Sequence, residues 1–261
     1  MKNRRTKQKK VKPLLIIIVV ILVAIIAFCL YKIVPYYLNN AKSKQTYQEI
    51  SEEYTKTTNK KGKKTWYNVI DPDLKRLQKK YPDVIAWLHF DNQKDHPISY
   101  PIMYSGDDAA YLRHDINKVY SIAGSIFLEG RNNPDFSDPS SIVYGHLMNN
   151  DTMFGSLKKY KEDGHYKNNQ YFTIFLADKA MHYHVFSYFV TNNTGDVYQI
   201  GFAPDDQFGE YLDMLTKNSM IDTEIKPTID DKIVILSTCN RFHSRERLVV
   251  CGVMEETHSF K

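Results

Sequence analysis

Hydrophobic and polar positions divide the chain into three stretches. Residues 14–30 are an unbroken apolar run, which Tyr31, Ile33 and Val34 extend past Lys32. At 1.5 Å per residue the run and its flanks reach roughly 30 Å, about one hydrocarbon core. Residues 36–65 are polar, lysine-rich and poor in large apolar side chains, which predicts a stalk, part helix and part flexible. From Trp66 the composition becomes that of a folded domain. Asp71-Pro72-Asp73-Leu74 has the form of a helix start, with Asp71 as cap and Pro72 at the first helical position. Leu74, Leu77 and Tyr81 space one apolar face of that helix, and Pro82 stops it.

After Trp87 the pattern turns to β. Short strands are predicted over 97–103, 123–128 and 141–144. A long hairpin follows over 171–176 and 181–190, turning at Ala177-Asp178-Lys179, and the last two strands are 232–238 and 248–254. One helix interrupts them. Asp205 or Asp206 can cap it, and Phe208, Tyr211, Leu212 and Leu215 fall at helical spacing. Many short strands with few helices point to a mainly β fold, an antiparallel barrel or sandwich. There is no internal repeat and no phosphate-binding glycine loop.

Charge sharpens the first stretch and removes one function class. The net charge is +5, yet residues 1–40 hold eight basic and no acidic residues. Residues 41–261 therefore carry 27 basic against 30 acidic groups. The basicity belongs to the N-terminus, and a nucleic-acid-binding face on the domain has no support. A basic cluster ahead of the apolar run predicts a cytoplasmic tail at 1–12, a transmembrane anchor at 13–35, a stalk at 36–65 and an extracellular domain at 66–261. The rival is a cleaved signal peptide. No small-x-small cleavage pattern follows the run, where Cys29-Leu30-Tyr31-Lys32 stands instead.

Cys29 lies inside the anchor and reads as a small apolar residue. Outside it remain Cys239 and Cys251, which form either one bridge or two free thiols. Cys239 ends the β run Ile233-Val234-Ile235-Leu236 after Ser237-Thr238, which sets a thiol at a sheet edge. Thiol nucleophiles need partial exposure and a cationic neighbour. Arg247 opens the next strand, so an antiparallel return brings it toward Cys239; Arg241 and Arg245 compete for that place. His146 closes the strand Ser141-Ile142-Val143-Tyr144, where Gly145 can supply an unusual backbone angle, and suits acid–base work. His182 and His184 alternate on one strand face without a third metal ligand, and the other histidines, among them His114, His165 and His243, are bland.

Together these residues resemble the sortases. Leu236-Ser237-Thr238-Cys239 followed by Arg247-Leu248-Val249-Val250 is similar to that family's TLxTC…R signature, and Tyr144-Gly145-His146 is similar to its strand-end histidine. Class B fits best: Gly124-Ser125-Ile126-Phe127-Leu128 resembles its AGSIF segment, and Ser237 and the helix near 206–218 are similar too. The resemblance covers roughly residues 70–257. Ile235 stands at the motif's first Thr, and Asn240 stands where class B sequences often have an acid.

The resemblance implies a closed eight-stranded β-barrel, with N-terminal helices and one helix inserted before the last two strands. Cys239 would attack the Thr carbonyl of a C-terminal sorting signal, an NPxTN- or PxTG-like pentapeptide on a surface protein. A peptidoglycan cross-bridge amine would resolve the thioacyl-enzyme. His146 would serve as acid and then base, Arg247 would hold the oxyanion, and Ser237 and Thr238 would line the substrate groove. No metal or other cofactor is implied. The rival functions are a cell-wall cysteine hydrolase, which has no need of Arg247, and a non-enzymatic tethered β domain with a Cys239–Cys251 disulfide.

Overall fold

The computed structural model describes residues 13–57, 65–239 and 246–260. The basic tail 1–12, and Asn240, Arg241, His243 and Arg245, lie outside the described residues. The chain divides into two units, 1–42 and 43–261.

Helix α1, Pro13–Tyr54, begins in the first unit. There it is long and apolar enough to cross a membrane, and its large apolar side chains, Leu15 and Phe28 among them, are exposed. In the second unit its last turns change character. Tyr47, Ile50 and Tyr54 are buried in the same core as the strands, so part of the stretch read as a stalk is built into the domain.

A two-stranded ribbon follows, β1 (Thr55–Thr57) with β2 (Ile70–Pro72). It displaces the expected helix start. Asp71 and Pro72 are strand residues paired with Lys56 and Thr55, and the cap of α2 (Leu74–Lys80) is Asp73, whose carboxylate accepts from the Arg76 N–H at 3.1 Å. Strand pairing outcompeted the local preference for a helix beginning at Pro72.

Eight strands then close a barrel: β3 (Val84–Phe90), β4 (Ser99–Met103), β5 (Ile126–Leu128), β6 (Ser140–His146), β7 (Tyr171–Phe175), β8 (Lys179–Asn192), β9 (Ile233–Cys239) and β10 (Glu246–Ser259). Their order around the barrel is β10-β8-β7-β3-β4-β5-β6-β9. The pairs β4–β5 and β6–β9 are parallel and the rest antiparallel. β3 is the strand the alternation rule misses. Six of its seven residues are buried, so it shows no period-two signal.

Helix α3 (Asp206–Lys217) is capped by Asp205, which accepts from the Phe208 N–H at 3.2 Å. Its buried Phe208, Tyr211, Leu212 and Leu215 cover Ile142 of β6, Ile233 and Ile235 of β9, and Val249, Cys251 and Val253 of β10. The alternate residues Val143, Val234, Leu236, Leu248 and Val250 belong to the main core. Side-chain alternation thus assigns Ile142-Tyr144-His146, Ile235-Ser237-Cys239 and Cys251-Val249-Arg247 to one shared face. An eight-stranded barrel is filled by its own side chains, so the face carrying α3 is the outer one.

Candidate active site

Three adjacent strands bring the sequence-nominated residues to one end of this outer face. β6 and β9 run parallel, and Tyr144, Gly145 and His146 are register partners of Ser237, Thr238 and Cys239. β10 returns antiparallel with Val249 opposite Ser237. Continuing that register by two residues sets Arg247 across from Cys239. His146 and Cys239 are 93 residues apart in sequence and neighbours across one ladder.

Gly145 serves sterics rather than an unusual backbone angle. It lies within β6 and is absent from the residues with positive φ. A Cβ there would stand 2.7 Å from the Phe154 ring, and the Phe154 N–H donates to the His146 carbonyl at 3.1 Å. The missing side chain lets the segment after β6 fold back over the histidine.

His146 is 2 % exposed. Its Nδ1 lies 3.2 Å from the Cys239 carbonyl and its Nε2 lies 2.7 Å from the Leu112 carbonyl. Carbonyls only accept, so a neutral imidazole donates to one of these two and the protonated ring to both. Cys239 is half-buried and unbridged. Burial pushes its thiol up to about 11; the Arg247 and Arg113 guanidiniums act in the opposite direction, and Asp108 adds to the rise. The Arg247 Nη1 donates to the Glu246 carbonyl at 2.9 Å.

The neighbouring residues are occupied with one another. Ser237 and Thr238 are buried, the Ser237 hydroxyl lies 2.9 Å from the Tyr198 hydroxyl, and the Thr238 Oγ1 accepts from the Leu248 N–H at 2.8 Å. Both hydroxyls, expected to line a groove, are committed to the protein itself. Tyr144 donates to Glu129 Oε2 at 3.0 Å, and Arg131 Nε donates to Oε1 at 2.6 Å. Burial raises the Glu129 carboxyl, but these two donors outweigh it and hold the group below the usual range. Asp108 is raised, chiefly by burial and further by the Glu129 charge.

Leu112, Arg113, Asp108 and Tyr198 escaped sequence reasoning. The first three lie in a segment without periodicity, and a backbone carbonyl leaves no residue-type signature at all. The His182–His184 alternation is resolved otherwise: Tyr171 stacks on both rings, at 4.8 and 4.2 Å, and each histidine meets its own carboxylate, Asp91 at 3.1 Å and Glu255 at 2.5 Å.

The family model described as Sortase domain matches residues 95–255. Sortase B of Listeria monocytogenes is 30% identical over 235 residues, covering 87% of this chain and 91% of that protein. The chain belongs to the sortase family. Sortase B of Staphylococcus aureus is 25% identical over 243 residues, covering 92% of this chain and 96% of that protein. The crystal structure of sortase B from Bacillus anthracis in complex with AAEK1 matches the fold with a TM-score of 0.71 at 24% identity, covering 84% of this chain and 99% of that one. This class B sortase is a cysteine transpeptidase of surface-protein anchoring on the expected closed eight-stranded barrel. The non-enzymatic rival falls with that assignment. Its disulfide is also absent: Cys251 pairs with Ile235, four residues before Cys239, and both thiols are free.

Proposed function

We propose that Cys239 is the nucleophile, His146 the acid–base group and Arg247 the cation that stabilises both the thiolate and the oxyanion. The single observation that carries this reading is the convergence of the three positions at one end of the outer face of β6, β9 and β10. In the acylation step the Cys239 sulfur bonds to the Thr carbonyl carbon of a sorting signal. The C–N bond to the next residue breaks, and the proton leaving His146 goes to the departing amine. In the second step His146 takes a proton from the incoming amine, whose nitrogen displaces sulfur. Arg247 supplies a planar, permanently charged donor where the carbonyl oxygen becomes negative. A thiol raised to about 11 is mostly protonated at neutral pH, and the Arg247 and Arg113 guanidiniums favour the minor thiolate form that reacts.

In this reading the substrate is the C-terminal pentapeptide signal of a surface protein, and the acceptor is a peptidoglycan cross-bridge amine. The apolar part of α1 is the anchor, with a cytoplasmic N-terminus and an extracellular catalytic domain. The division into tail, anchor, stalk and domain belongs to the same reading, with Tyr47, Ile50 and Tyr54 at the end of α1 counted to the domain. Ser237 and Thr238 lie under the substrate groove in this reading, their buried hydroxyls bonded to Tyr198 and to the Leu248 N–H at the start of β10.

Intact-mass spectrometry with a sorting peptide and no amine acceptor tests the assignment. The wild type gains the mass of the peptide's N-terminal fragment as a hydroxylamine-labile thioester, and Cys239→Ala gains nothing. A labile adduct on Cys239→Ala removes this nucleophile.

A further inference from the structure

The acid–base reading leaves one sequence-nominated feature without a task, the Gly124-Ser125 pair that precedes β5. Its place in the structure supplies one. Gly124 has φ +57°, and a Cβ there would stand 2.6 Å from the Leu112 carbonyl oxygen and 2.8 Å from that of Tyr111. The Leu112 carbonyl is the group held 2.7 Å from His146 Nε2. Ser125 binds the same loop from below: its N–H donates to the Tyr111 carbonyl at 3.0 Å and its hydroxyl to the His114 carbonyl at 2.8 Å. That hydroxyl accepts in turn from the buried Tyr47 hydroxyl at 2.7 Å. Residues 111–114 are thus clamped on both sides of Leu112.

We propose that Gly124, Ser125 and Tyr47 are positioning residues that set the Leu112 carbonyl against His146 Nε2, and so leave Nδ1, the nitrogen on the Cys239 side, to give its proton to the leaving amine. The inference rests on the acid role proposed above for His146. The geometry explains why this spot takes a glycine: both the left-handed backbone and the approach of the Leu112 oxygen exclude a side chain. It also explains why a serine follows, since one hydroxyl must donate to a carbonyl and accept from a phenol at once. Among the described residues, the charged groups that act on the Cys239 thiol are Arg247 from β10, and Arg113 and Asp108 from the loop before β5.

A mis-aimed acid has a chemical signature that a loosened fold lacks. An amide needs its leaving nitrogen protonated, whereas a thioester expels a stable anion without help. The full chain in detergent is assayed for single-turnover acylation by a sorting peptide and by the same peptide carrying a thioester at the scissile bond. General acid catalysis contributes roughly 10²–10⁴-fold, so Gly124→Ala is expected to slow amide acylation by about 30-fold or more, with thioester acylation within about threefold. Tyr47→Phe, which removes one hydroxyl, is expected to slow the amide by roughly three- to tenfold with the same selectivity, and decides the matter should Gly124→Ala not fold. His146→Ala is the reference. If it is amide-selective while the positioning variants slow both substrates equally, or neither, the positioning inference fails alone. If His146→Ala shows no selectivity, the acid role itself fails.

Discussion

The two thiols of the domain sit on one face of one sheet and in different surroundings. Cys251 lies in mid-strand, fully buried beneath α3 among Ile235, Val249 and Val253, and burial alone drives its thiol far above the usual range. Cys239 ends its strand just beyond the reach of that apolar cover. Burial raises it as well, but Arg247 and Arg113 oppose the rise, and His146 is its register partner. The comparison teaches that neither burial nor residue type distinguishes the thiol proposed as nucleophile from the other. What separates the two is that α3 covers the shared face only part-way along. The uncovered end can then collect an imidazole and guanidiniums from other elements.

The sharpest way to break this comparison is to exchange the sulfurs for oxygens. Cys239→Ser is expected to lower sorting-peptide turnover by about 10³-fold or more, with Arg247→Lys next at roughly 10²-fold, because a point charge does not reproduce a planar fork. Cys251→Ser leaves turnover within a few-fold, and its buried hydroxyl without an obvious acceptor costs about 1–3 kcal/mol in a denaturant melt. Similar activity losses at both cysteines would end the distinction.

Removing the cover tests the other half. Phe208→Ala on α3 is expected to destabilise the domain by about 3–4 kcal/mol, read as a lowered denaturation midpoint, while acylation of the folded fraction persists. Loss of acylation in fully folded Phe208→Ala would make α3 part of the site.

The smallest effect is the pH dependence of labelling. Only thiolate is alkylated, and the folded Cys239 group is raised to about 11, so its thiolate fraction grows as pH rises toward that value. Iodoacetamide labelling at Cys239 should accelerate by roughly tenfold per pH unit from 7 to 9, while Cys251 stays unlabelled until the protein unfolds. A labelling rate at Cys239 that is flat over this range would contradict the raised thiol.

Legibility in the sequence followed the same boundary between local and distant. Strands that alternate, such as those around Ile235 and Val249, and the helix carrying Phe208 and Tyr211, announced themselves through periodicity. β3 did not, being buried on both sides, and Asp71-Pro72 advertised a helix start that pairing with β1 overrode. Gly145 suggested a bend, whereas its purpose is contact with the Phe154 ring, 9 residues on in the chain. Ser237 and Thr238 carried a chemical identity from which their burial could not be read.

The sequence by itself determined the apolar run and its basic flank, the order of histidine, cysteine and arginine, and through the motifs around them the family. Those are matters of residue type and short-range spacing, which every segment carries with it. Only the tertiary structure decided that His146 and Cys239 are register partners, that α3 seals one thiol and stops short of the other, and that a carbonyl at Leu112 reaches the imidazole. Parallel pairing of β6 with β9 joins segments 93 residues apart, and such a closure depends on the whole barrel.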